Sequence, residues 1–118
     1  MLPVSISSIP VHLATGSTDM RKGINGLAAE IYEYFEADIF SNSLFAFCSR
    51  SRKLVKILYW DSNGFCLWVK MLQKGRFKWP EDEKDVLNIS SKELAWLLSG
   101  LEVKQQVKHQ SLQYKTLT

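Results

Sequence analysis

Only two cysteines, three prolines and six glycines occur in these 118 residues. No apolar run approaches the roughly 18 residues that a membrane-spanning helix needs. Collagen-like, mucin-like and transmembrane readings are excluded on those grounds. Cys48 and Cys66 are isolated from each other, and His12 and His109 lie far from both in sequence. A structural zinc site wants ligands paired at CxxC or HxxxH spacing, so no metal is expected and both thiols read as buried and inert. Met1-Leu2-Pro3-Val4-Ser5-Ile6 has neither a basic leader nor an apolar run of about ten residues. A cytoplasmic location is therefore expected.

Motifs that would carry catalysis are also scarce. There is no GxSxG elbow, no Cys/His pair with supporting context, and no GxGxxG or GxxxxGK[ST] phosphate cradle. No cofactor is expected. Asp19, Asp61 and Glu93 could in principle converge on two metals as in a nuclease, but each reads as structural: a helix cap, a turn residue and half of a capping box. The chain is expected not to be an enzyme.

What the sequence does hold is ordinary globular composition, 46% hydrophobic and 23% charged, with its charge unevenly placed. Residues 1–49 carry two basic and five acidic groups, and residues 79–118 carry five and six. The segment between them, 50–78, has eight basic groups and only Asp61 against them, a net +7. A whole-chain charge of +3 thus conceals a basic middle of the kind a polyanion partner selects.

The elements follow from patterning. Ile9 to Ala14 reads as a short strand in which Pro10 marks an edge position or the strand's first residues. Met20, Ile24, Leu27, Ala28, Ile31 and Phe35 recur at helical spacing, which predicts a helix over Asp19–Phe35 capped by Thr18 or Asp19. Gly23 and Gly26 inside that pattern mark close packing or a later helix start. Leu44 to Cys48 reads as a strand. Leu54–Trp60 and Phe65–Met71 read as a hairpin around Asp61-Ser62-Asn63-Gly64, with Asn63-Gly64 able to take positive φ. Pairing Trp60 with Phe65 would set Leu58 opposite Leu67 and Lys56 opposite Val69. Val86 to Ile89 gives a last strand, and Ser90 with Glu93 makes a capping box before an apolar stripe of Leu94, Leu97, Leu98 and Leu101 that stops near Gly100.

The fold class expected is α+β: a mostly antiparallel sheet with a central hairpin, packed against the first helix, and a second short helix closing one end. Residues 1–101 form the single domain and 102–118 a polar, flexible tail, with a partner-binding helix as the alternative for that tail.

Aromatic residues interleave with the basic segment. Cations at successive positions can track a phosphate backbone, and exposed rings can stack on bases. The phosphate-contact candidates are Arg50, Arg52 and Lys53 between two strands, Lys74, Arg76 and Lys78 after the hairpin, Lys56 and Lys70 along it, and Arg21 and Lys22 if the helix start lies nearby. Trp60, Phe77 and Trp79 are the candidates for base stacking or partner contact.

Three runs carry a resemblance: Thr18-Asp19-Met20-Arg21-Lys22-Gly23-Ile24-Asn25-Gly26-Leu27, Lys56-Ile57-Leu58-Tyr59-Trp60-Asp61-Ser62-Asn63-Gly64-Phe65-Cys66-Leu67-Trp68, and Lys74-Gly75-Arg76-Phe77-Lys78-Trp79-Pro80. In this order, from about Val11 to Leu101, the chain resembles the small accessory proteins of the sixty-six family of bacterial insertion sequences. The resemblance implies a non-catalytic factor that assists a separate, larger transposase carrying the acidic catalytic residues. The expected partners are DNA, as transposon ends or intermediates, and that transposase. No membrane is among them, and the oligomeric state is left open. The alternative is an adaptor that touches no DNA and meets the transposase through Phe77-Lys78-Trp79-Pro80.

Overall fold

The computed structural model describes residues 9–100, so the tail expected at 102–118 lies outside the described residues. Among the described residues five strands form one sheet in the order β4-β3-β2-β1-β5. They are β1 (Val11–Ala14), β2 (Leu44–Cys48), β3 (Leu54–Asp61), β4 (Gly64–Met71) and β5 (Val86–Ile89), with α1 (Ile24–Tyr34) between β1 and β2 and α2 (Ser91–Leu98) after β5. Only β1 and β2 run parallel; the other three pairings are antiparallel. A parallel pair needs a long crossover, and α1 supplies it. The expected α+β architecture is the one observed.

Alternation along the strands splits the core into two halves. Val11 and Leu13 of β1, Leu44, Ala46 and Cys48 of β2, and Val55, Ile57 and Tyr59 of β3 form one cluster with Leu94 and Leu97 of α2. The intervening Phe45, Phe47 and Leu58 form the other with Leu27, Ile31 and Phe35. Successive strand residues point to opposite faces, so α1 and α2 cover opposite sides of the sheet. The second helix does not close an end: its leucine stripe needs a broad apolar face, and the sheet face opposite α1 provides one.

The hairpin has the expected register, with Trp60 opposite Phe65, Leu58 opposite Leu67 and Lys56 opposite Val69. The positive φ falls on Ser62 (52°), not on Asn63-Gly64, because β3 runs to Asp61 and β4 starts at Gly64, leaving Ser62 and Asn63 as the loop. The Ser90–Glu93 capping box is complete, with Ser90 Oγ accepting from Glu93 N at 3.0 Å and Glu93 Oε1 from Ser90 N at 2.9 Å. Pro10 precedes β1, which is an interior strand; its carbonyl accepts from Leu44 N.

The first helix begins later than its periodicity suggests. Gly23 is its N-cap, and no side chain caps it. Residues 15–23 are a loop, because their polar groups are engaged elsewhere: Thr18 N donates to Cys48 O, and the carbonyls of Met20 and Lys22 accept from Lys56. Gly26 lies against Lys22, where a Cβ would come within 3.1 Å of the Lys22 Cβ; its smallness serves this loop, not contact with the sheet. No helix of the described residues is long and apolar enough to cross a membrane.

Candidate nucleic-acid interface

The β2–β3 connection is a tight loop built on Ser49. Ser49 N donates to Leu54 O, Arg52 N to Ser49 O, and Ser49 Oγ accepts from Leu54 N. The turn requires Arg52 at φ 64°, the left-handed region that L residues seldom enter. That backbone directs the Arg52 guanidinium inward, where Nη1 donates to Gly16 O at 2.5 Å and Nη2 stands 3.8 Å from Glu81. Arg50 and Lys53 on either side remain exposed.

The chain after β4 returns alongside this loop. Leu72 N donates to Lys53 O at 2.8 Å and Phe77 N to Arg52 O at 2.7 Å, so residues 49–53 and 72–80 form one surface at one end of the sheet. Gly75, at φ 75°, makes the bend. Beyond it the chain alternates: Arg76 and Lys78 are exposed, Phe77 and Trp79 are buried. Trp79 Nε1 donates to Ala14 O at 2.8 Å in the interior. The aromatic interleaving read from the sequence thus anchors this strap to the core and aims its cations outward.

This corrects two of the three stacking candidates. Phe77 and Trp79 are 2% and 3% exposed and present no ring face to a base or a partner. Trp60 is half-buried at the hairpin-turn end of β3, packed edge-on to Phe40 and Phe65 with centroids 5.0 Å away in each case. Six strand residues, about 20 Å, separate it from the cations at the other end.

The ten basic candidates also divide. Arg52 is held as described. Lys56 lies on the α1 face and donates to Met20 O at 2.8 Å and Lys22 O at 3.0 Å. Lys70 donates to Leu98 O at the end of α2, a favourable seat for a cation. Lys22 meets Glu30 at 2.6 Å, and that bond raises the Lys22 pKa. Arg21 chelates Asp19, with Nη2 at 2.7 Å and Nε at 3.0 Å; its side-chain and backbone hydrogen bonds pull the Asp19 carboxyl down to about 2. Arg50, Lys53, Lys74, Arg76 and Lys78 are exposed, and none of their side chains bonds to another of the described residues. All of them lie on the 49–53 and 72–80 surface.

Glu30 escaped the sequence reading. It is 3% exposed and holds both Lys22 and, at 3.5 Å, Lys84. The signal was present: a glutamate one residue before Ile31 and three after Leu27 falls in the apolar phase of α1. Among the described residues no group of three or more His, Cys, Asp or Glu is placed to hold a metal. Asp19 is paired with Arg21, and Glu93 is bound into its capping box.

Residues 9–108 match the family described as IS66 Orf2 like protein. The chain belongs to that family. The uncharacterized protein y4hO of Sinorhizobium fredii is 41% identical over 102 residues, covering 86% of this chain and 88% of its own length. The uncharacterized protein y4jC of the same organism is 32% identical over 92 residues, covering 78% and 79%. No solved structure matches. Membership assigns the chain an accessory role in an insertion sequence, in a family that is generally non-catalytic. In this IS66 Orf2-like fold the three signature runs are structural joints. The first is the loop clasped by Lys56 and Glu30, the second is the hairpin, and the third is the strap pinned by Phe77 and Trp79.

Proposed function

We propose that this protein assists transposition by holding DNA through its phosphate backbone, using Arg50, Lys53, Lys74, Arg76 and Lys78. The observation that supports this reading is their joint position on two loops stitched together by main-chain bonds, with no side-chain partner for any of them among the described residues. Five exposed cations on one surface have their counter-charge supplied by solvent ions, and a polyanion releases those ions on binding. The catalytic carboxylates of the reaction belong, on this reading, to the larger transposase.

With Phe77 and Trp79 buried, no aromatic platform among the described residues accompanies the cations. Binding is therefore independent of base sequence, without the stacking that favours single strands. The adaptor reading loses support for the same reason, since the Phe77-Lys78-Trp79-Pro80 patch it relied on is anchored in the core.

Fluorescence anisotropy of the full chain against element-end duplex, scrambled duplex and single strand tests the proposal. The two duplexes should bind alike, and at least as tightly as the single strand. Failure to bind any of them, alongside salt-resistant co-purification with transposase, would return the adaptor reading.

A further inference from the structure

The outer side of β4 carries a second surface, which shares Lys74 with the DNA reading and otherwise stands on different residues. Among the described residues β4 is an edge strand eight residues long, while the opposite edge, β5, has four. Long edge strands are usually guarded by charge, proline or a bulge. β4 has no proline, and its one charged side chain, Lys70, is bound to Leu98 O. The bond from Leu72 N to Lys53 O fixes the phase of the ladder. Because antiparallel pairs alternate between bonded and non-bonded, the even-numbered residues of β4 direct their main-chain groups at β3. Phe65, Leu67, Val69 and Met71 direct theirs outward. The side chains of these four share the α1 face, yet α1 leaves Val69 48% and Met71 61% exposed.

We propose that a second copy of this chain occupies this edge, β4 pairing antiparallel with β4 about a two-fold axis at Trp68. That register pairs Phe65 through Met71, all of the strand but Gly64. It places Phe65 opposite the Met71 of the other copy and Leu67 opposite the other Val69, covering both exposed side chains with apolar ones. Lys70 faces Cys66, so no like charges meet. Each hairpin turn, with its exposed carboxylate Asp61, comes to the end of the other β4, where Lys74 stands three residues beyond Met71. Opposite charges therefore meet at both ends of the ladder. A ten-stranded sheet results, with one 49–53/72–80 surface at each end.

Sedimentation velocity on the full chain from about 1 to 200 µM tests the pairing, with circular dichroism to establish that each variant is folded. The wild type should form a dimer at tens of micromolar. Val69→Lys with Met71→Lys, at half-exposed positions, should remain monomeric. Val69→Pro should do the same by a different route, since it deletes an outward N–H and no bond to β3. A wild type monomeric at every concentration, as when residues 101–118 or another molecule take this edge, would overturn the proposal. So would a dimer that persists in the folded variants.

Discussion

The ammonium of Lys56 on β3 donates to the main-chain carbonyl of Met20 at 2.8 Å, across 36 residues of sequence. With its second bond to Lys22 O at 3.0 Å, it makes a lysine from the most basic stretch of the chain a structural clasp. Lys56→Met keeps the stem and removes both charged bonds. Hydrogen bonds to charged groups contribute about 1.5–3 kcal/mol each, and partial solvation of the freed carbonyls offsets some of that. A loss of about 2 kcal/mol in urea unfolding is expected, with DNA affinity unchanged.

From the same loop, Lys22 holds the buried Glu30 of α1. Removing one partner of a buried pair costs about 3–5 kcal/mol. The half-exposed Lys22 and the remaining Lys84 reduce that, so Lys22→Ala should lose about 2 kcal/mol. The hydrogen bond to Glu30 raises the Lys22 pKa above its ordinary 10.5. The contribution is therefore complete below that value and disappears as pH rises through the raised one. Unfolding curves of wild type and Lys22→Ala should converge at strongly alkaline pH and stay apart at pH 7.

Asp19 gives the opposite sign. Its carboxyl is lowered from 3.8 to about 2 by the Arg21 hydrogen bonds, so its contribution is present above the ordinary value and is lost as pH falls through about 2. An NMR titration should show Asp19 as an unusually acidic carboxyl. Arg21→Ala should return it toward 3.8, and an unmoved midpoint in that variant would remove Arg21 as the cause.

The two thiols should differ sharply. Burial pushes the Cys48 pKa up to about 11 from 9.0, whereas Cys66 is half-buried in the edge strand. Alkylation at pH 8 should modify Cys66 first and reach Cys48 only on unfolding, which peptide mass mapping reads directly. Between pH 9 and 11 the unfolded chain ionises Cys48 before the folded chain does, so stability falls with rising pH in that window.

Local chemistry was readable from the sequence. The turn residues at 61–64 set the hairpin register, and Ser90 with Glu93 declared the start of α2. Contacts between distant segments were not. Nothing in the spacing of Val11–Ala14 and Leu44–Cys48 shows that they run parallel, or that β5 adds beside β1. The same limit applies to the candidate site. Lys56 and Lys53 look equivalent as letters, but strand alternation puts Lys56 under the 20–22 loop, and the left-handed turn at Arg52 leaves Lys53 in solvent. Phe77 and Trp79 read as stacking rings because the strap that buries them has no periodic signature of its own beyond four alternating residues.

The salt dependence of duplex binding tests the central claim most directly. Five phosphate contacts give a slope of about −4.5 in log K against log salt for the wild type. Replacing Arg50, Lys53, Lys74, Arg76 and Lys78 with Gln should bring the slope near zero while the thermal midpoint holds, because these side chains bond to nothing among the described residues. A slope unchanged in that folded variant, or wild-type binding insensitive to salt, would contradict the account.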